Sequence, residues 1–229
     1  MTLPKTTLDS AFQADLDLLM QGVVDLKPDG RKALEELLLS AKKENRQLRV
    51  KLGIDPTSSD LHIGHMVCMQ KLRQFQEMGH LPVIIIGGFT AQVGDPTGRN
   101  ETRPPLSAED VKKHADSYLE QVSKVIDINR AELVNNADWF KDFSLTEIIK
   151  LASKVTVNQM ISKDAFGKRI DAGQPLFMHE IFYPILQGYD SVQVKADIEL
   201  GGTDQLFNLM VGRDLQKSFG QRAQLCMTM

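Results

Sequence analysis

KLGIDPTSSDLHIGH, residues 51–65, passes from a short apolar run through a turn-forming loop into a helix that carries two histidines. Lys51 to Ile54 reads as a brief strand. Asp55-Pro56-Thr57-Ser58-Ser59-Asp60 breaks periodic structure, and Asp60 stands where it would cap the next helix. From Leu61 onward Met66, Met69, Leu72, Phe75 and Met78 recur at near-helical spacing up to Gly79, a suitable C-terminal cap, which predicts one amphipathic helix. His62 and His65 then lie a turn apart at its start, where unpaired backbone N–H groups and the positive end of the helix dipole favour an anion. Two imidazoles add donors for a phosphate, and Gly64 between them lets something flat approach the backbone.

Pro82 to Ile86 is a continuous apolar run, the mark of a strand buried on both faces of a parallel sheet. Strand, helix and strand make a βαβ unit whose ligand sits beyond the carboxyl ends of the strands. Asp55 and the Gly-rich loop 87–99, GGFTAQVGDPTGR, lie at that edge. In this loop Asp95-Pro96-Thr97-Gly98 forms a tight turn and Asp95 offers a carboxylate at the mouth of the site. Arg99 and Arg103 come closely enough after it for both guanidinium forks to face a polyphosphate.

Farther out, residues 1 to about 48 read as peripheral and helical, with a turn at Lys27-Pro28-Asp29-Gly30 and no evident chemistry. Ser107 to Asp110 and Ser144 to Glu147 fit capping boxes that start two helices, Glu132 to Asn135 fits a short strand between them, and Trp139-Phe140 anchors packing. A helix over 178–194 sets Tyr183, Gln187 and Asp190 at i, i+4 and i+7, so a phenol, an amide and a carboxylate share one face. That face suits a small polar ligand with groups at both ends. Asp197 to Leu200 reads as a strand, Gly201-Gly202-Thr203 as a tight turn, and Asp204-Gln205 as the opening of a helix to about Lys217. This arrangement commonly holds ribose hydroxyls. A last strand begins at Ala223.

The composition agrees with a soluble globular protein. The 229 residues are 42% hydrophobic and 25% charged, and the net charge of -3 gives no general basic footprint for nucleic acid. No apolar run reaches membrane-spanning length, and the N-terminus has neither a basic region nor an apolar one of the secretory kind, so a cytoplasmic location is expected. Cys68 and Cys226 lack metal-binding spacing and read as buried thiols.

GIDPTSSDLHIGH, GGFTAQVGDPTG, YPILQGYDS and ELGGTDQLFN together resemble, in order, segments of the bacterial tyrosyl-tRNA synthetases, over roughly residues 30–229. HIGH is the signature of the wider class I synthetases and of related nucleotidylyltransferases. The resemblance implies an α/β fold, a Rossmann-type parallel sheet split by a helical connective insertion. The expected layout is an N-terminal helical segment 1–48, the first half of the Rossmann domain 49–104, the insertion with the tyrosine-binding helix 105–195, and the second, incomplete half 196–229. It also implies activation of L-tyrosine with ATP to tyrosyl-adenylate and transfer to tRNA(Tyr), with Mg²⁺ arriving on ATP at no dedicated protein site. A homodimer through the insertion and no membrane association are expected.

By the same resemblance Thr57, His62 and His65 stabilise the pentacovalent α-phosphate, and Arg99 and Arg103 hold the departing pyrophosphate. Asp95, Tyr183 and Gln187 bind the substrate ammonium, and Asp190 accepts from the phenolic hydroxyl. Gly202, Asp204 and Gln205 take the ribose side, while Gly53, Asp55 and Gly64 line the adenylate. Two features depart from the family. Many relatives have tyrosine where Lys51 stands, which shifts hydroxyl recognition onto Asp190 or another group. The chain also stops before the family's KMSKS loop and RNA-binding domains, which implies a fragment that binds tyrosine or its adenylate, activates it poorly and hardly charges tRNA. Met160-Ile161-Ser162-Lys163 is faintly similar to KMSKS but sits too early in the chain and is assigned no role. Three rival readings are a nucleotidylyltransferase of the H-x-G-H superfamily, which needs no Tyr183-Gln187-Asp190 face, a tryptophanyl-tRNA synthetase, and a catalytically idle module that binds tyrosine or RNA.

Overall fold

The computed structural model describes residues 10–57, 61, 63–96 and 108–229. Helices α1 (Ser10–Met20) and α2 (Gly30–Lys43) flank a short strand β1 (Asp25–Lys27), and β2 (Arg49–Ile54), α3 (Ile63–Glu77) and β3 (Leu81–Ile86) come next. A one-turn helix α4 (Thr90–Val93), the long α5 (Ala108–Ser123) and β4 (Glu132–Asn135) lead into four short helices, α6 (Ala137–Phe140), α7 (Leu145–Ala152), α8 (Val157–Ile161) and α9 (Asp164–Asp171). The chain returns through α10 (Met178–Val194), β5 (Ile198–Gly201), α11 (Leu206–Ser218) and β6 (Leu225–Thr228).

The strands form one sheet in the order β1-β6-β5-β2-β3-β4, parallel throughout except for β1, which runs antiparallel to β6. From β2 the chain builds outward through β3 and β4, then crosses back to lay β5 and β6 on the other side of β2. The reversal opens a crevice beyond the carboxyl ends of β2 and β5, where this architecture takes its ligands.

Alternation along β3 explains its unbroken apolar run. Ile84 and Ile86 join the main core with Val50, Leu52 and Ile54 of β2, Leu16, Leu34, Met69, Phe75 and Tyr118. Val83 and Ile85 point the other way, against Val194 and Ala196. A third cluster joins α10 to α11 and the short helices through Ile185, Val192, Leu215, Leu151 and Met160. Gly188 of α10 sets that approach, because a Cβ there would stand 3.1 Å from Gly212 Cα.

Two features differ from the sequence expectation. The N-terminal segment is not only helical, since β1 closes a sheet edge against β6. The Gly-rich loop after β3 contains α4. The strand expected at Glu132–Asn135 is present as β4 and pairs with β3. The capping box at Ser144 and Glu147 is present at the start of α7. Asp60 as a helix cap, the Thr97-Gly98 end of the tight turn and the Ser107 cap lie outside the described residues.

Candidate active site

A cavity of ≈660 Å³ opens beyond the carboxyl ends of β2, β3 and β5. Each of these elements delivers its expected residues to it. Gly53 and Asp55 come from the end of β2 and Thr57 from the loop after it; Gly64 and His65 lie in the first turn of α3; Asp95 comes just after α4. Tyr183, Gln187 and Asp190 project from α10, and Gly202, Asp204 and Gln205 come after β5. His62, Arg99 and Arg103 lie outside the described residues.

Asp190 is 3% exposed, and each of its oxygens accepts a bond. Trp139 Nε1 donates to Oδ1 at 3.0 Å and Asn136 Nδ2 to Oδ2 at 3.2 Å. Burial raises its carboxyl to about 7, against the pull of Lys51 and of those two donors, with Asp55 adding to the rise. Asn136 is itself fixed, since its Nδ2 also donates to Thr90 Oγ1 at 2.9 Å and its Oδ1 accepts from the Phe89 amide at 2.8 Å.

Tyr183 donates its hydroxyl to Asp55 Oδ2 at 2.7 Å, and Thr90 Oγ1 donates to Asp55 Oδ1 at 2.7 Å. Burial, with Asp55 and Asp95 nearby, holds the Tyr183 phenol well above its ordinary range, so it remains a donor to Asp55. Gly87 allows this packing, because a Cβ there would collide with Asp55 Oδ1 and Thr90 Oγ1. Asp95 Oδ2 accepts from Gln205 Nε2 at 2.9 Å. His65 stands near Tyr118, ring centroids 6.4 Å apart, and both line the cavity. Cys68 lines it too, and burial, helped by Asp204, pushes its thiol up to about 11, which leaves it unsuited to act as a nucleophile at neutral pH.

Lys51 lies behind this wall, 0% exposed. It pairs with Glu199, its register partner on β5, at 2.7 Å and donates to Ser191 Oγ at 2.7 Å and to the Gln187 carbonyl at 3.0 Å. Lys51 thus ties α10 to the sheet.

Sequence reasoning missed Thr90, Asn136 and Tyr118, and gave Trp139 to packing alone. Asn136 had a readable signal, since it directly succeeds a strand at the ligand-bearing edge. Nothing in local sequence pairs Trp139 with Asp190.

The geometry agrees with the comparisons to known proteins. The family described as tRNA synthetases class I (W and Y) matches residues 42–229. A tyrosine-tRNA ligase of Carboxydothermus hydrogenoformans is 50% identical over 218 residues, 95% of this chain and 53% of that protein. One from a Synechococcus strain is 48% identical over 233 residues, 100% of this chain and 56% of that protein. The chain therefore spans about half the length of the curated relatives it matches. Among solved structures, a C-terminally truncated mitochondrial tyrosyl-tRNA synthetase of Aspergillus nidulans is similar with a TM-score of 0.78 at 22% identity, over 95% of this chain and 68% of that one. The Archaeoglobus fulgidus tyrosyl-tRNA synthetase complexed with L-tyrosine gives 0.76 at 20%, over 95% and 63%. At those identities the structural likeness speaks to the fold.

Proposed function

The chain belongs to the class I tRNA synthetases of the tryptophan and tyrosine family, and from that premise we propose that its cavity activates L-tyrosine with ATP, forming a tyrosyl-adenylate that the whole protein transfers to tRNA(Tyr). The observation that carries this reading is Asp190, a buried carboxylate gripped by Trp139 and Asn136 and lining the same cavity as Asp55, Asp95 and Tyr183. A phenolic hydroxyl donates to it. A plain phenyl ring has no donor to offer and would leave it without that partner, at a cost of about 1–3 kcal/mol or more for a charged group. This favours tyrosine over phenylalanine, and the choice of tyrosine over tryptophan follows the relatives, tyrosine-tRNA ligases at 48–50% identity. The polar α10 face also distinguishes the site from a nucleotidylyltransferase pocket.

Tyrosine lies along α10, its phenol at Asp190 and its ammonium between Asp95 and the Tyr183 oxygen, with Gln187 beside them. Its carboxylate is already a nucleophile and needs no general base. A carboxylate oxygen forms a bond to the α-phosphorus of ATP as the bond to the bridging oxygen breaks and pyrophosphate departs. Catalysis then rests on alignment and on stabilising phosphate charge. Thr57, His65 and the first-turn amides of α3 serve that charge, with His62, Arg99 and Arg103 assigned there by their motif positions. Gly53 and Gly64 give the nucleotide a flat approach, and Gly202, Asp204 and Gln205 take the ribose. Mg²⁺ enters as the companion of the ATP phosphates. A cytoplasmic location suits this role, and among the described residues no helix is long and apolar enough to cross a membrane.

A homodimer through the helical region is part of the same reading. Leu145, Ile149, Val157, Ile170, Phe177 and Met178 are all more than a third exposed, a concentration of apolar surface that suits a second copy of the chain.

Calorimetric titration with L-tyrosine, L-phenylalanine and L-tryptophan tests the reading. Tyrosine is expected to bind at least tenfold more tightly than either of the others, and Asp190→Ala to remove its preference over phenylalanine. Equal binding of all three, or none of tyrosine, would refute it.

A further inference from the structure

Helix α5 turns one stripe of side chains toward the loop between β2 and α3. His114, Tyr118 and Gln121 stand at i, i+4 and i+7 along it. Tyr118 belongs to the main core with Ala115, Val122 and Ile126, which together seat the helix, and its ring centroid lies 6.4 Å from that of His65. The two polar members of the stripe grip the loop at its two ends. His114 Nδ1 lies 3.1 Å from the Pro56 carbonyl oxygen, which can only accept, so Nδ1 carries the hydrogen and donates it. Gln121 Oε1 accepts from the Leu61 amide at 3.0 Å, while its Nε2 donates to Ser117 Oγ at 3.1 Å and to the Ser117 carbonyl at 3.3 Å. Both ends of that amide are therefore held.

A trans peptide sets its carbonyl and its N–H in opposite directions. In the Pro56–Thr57 unit the carbonyl meets His114 and the N–H donates to the Asp55 carbonyl at 2.8 Å, so the plane is fixed and the Thr57 Cα with it. Leu61 is fixed two residues before α3 begins, and the first turn of that helix carries Gly64 and His65.

We propose that His114 and Gln121 are positioning residues that clamp the β2–α3 loop from α5 and thereby hold Thr57, Gly64 and His65 against the nucleotide. The inference rests on the synthetase reading above and deepens it, adding two residues that stand outside the cavity lining. A helix that only packs is the competing explanation, and its loss would weaken every ligand alike.

The test is calorimetric titration of L-tyrosine and of tyrosinol adenylate, a stable mimic of the adenylate, into the unaltered chain, His114→Leu, His114→Asn, Gln121→Leu and Gln121→Glu, with a thermal melt and backbone amide exchange of each. His114→Leu and Gln121→Leu are expected to weaken tyrosinol adenylate at least tenfold and L-tyrosine less than twofold. His114→Asn keeps a nitrogen donor on Cγ and Gln121→Glu keeps the acceptor, so each should bind both ligands within threefold of the unaltered chain. Gln121→Leu should also speed exchange at the Leu61 amide at least tenfold. Equal losses for the two ligands, tyrosinol adenylate binding within twofold of the original, or unchanged exchange at Leu61 would overturn the proposal. His114→Leu and Gln121→Leu are scored separately, so one that fails to fold leaves the other to decide. Failure of the unaltered chain to bind L-tyrosine would instead sink the functional reading itself, and exchange at Leu61 would still decide whether the clamp exists.

Discussion

Asp190 concentrates the residue-scale physics of the site. Its folded pKa of about 7 lies above the ordinary 3.8, so its contribution to stability is fully present below about 3.8 and is lost as pH rises through about 7. The full shift corresponds to roughly 4 kcal/mol, an upper figure for so buried a group. Asp190→Asn has no such titration. Its stability penalty in denaturant melts is therefore expected to shrink between pH 5 and pH 8, and a constant penalty would contradict the burial argument. Binding runs the opposite way, because a phenol donates to the ionised form, so tyrosine affinity should fall as pH drops below about 7. Trp139→Phe removes one donor from the same carboxylate and is expected to cost about 1.5–3 kcal/mol of tyrosine binding, measured by titration. Asp190 and Trp139 differ in how readable they were. The helical spacing of Tyr183, Gln187 and Asp190 exposes their common face directly, whereas the Trp139 partner lies in another element.

At the scale of elements, a lysine joins the HIGH-bearing helix to α1. Lys71 of α3 donates to the carbonyls of Leu18 and Leu19, at 3.1 and 2.9 Å, and of Gln21 at 2.9 Å, and so serves the C-terminal end of α1. Lys71→Met keeps the buried stem but leaves those carbonyls without their donor. The expected result is a loss of about 2 kcal/mol with faster amide exchange in α1, while tyrosine affinity stays close to the original. Equal exchange rates in both proteins would show that α1 does not depend on this contact. Helix periodicity announced α1 and α3 separately; the cation that joins them sits on the apolar side of a helix, where composition suggests solvent.

Across the whole molecule, Lys51 and Glu199 link the two halves of the sheet beneath α10. Lys51→Met strands a buried carboxylate that Ser191 and Gln224 also contact, and is expected to cost about 3–5 kcal/mol, seen in denaturant unfolding. Replacing both members, Lys51→Met with Glu199→Gln, should recover most of that loss. A double variant no better than the single one would mean that the pair is not what the network balances. The proposed dimer belongs to this scale too. Ile149→Glu on α7, 59% exposed, is expected to shift the sedimentation coefficient from dimer to monomer without moving the tyrosine titration.

Short-range physics was enough to settle much of this protein from its sequence: the βαβ unit at 49–86, the bounds of β4 and α10, the capping box at Ser144, and the strand ends at which Asp55, Asp95, Asp204 and Gln205 gather. Apolar periodicity, turn chemistry and the rule that ligands meet parallel sheets at their carboxyl edge all act over neighbouring residues or one supersecondary unit. Tertiary structure alone decided the partners of the buried polar groups: Trp139 with Asp190, Lys51 with Glu199, Lys163 with Asn208. Each pair comes from elements distant along the chain. A charge removed from water must be satisfied by whatever donor or acceptor the packed elements bring within reach, and no local pattern encodes which one that is.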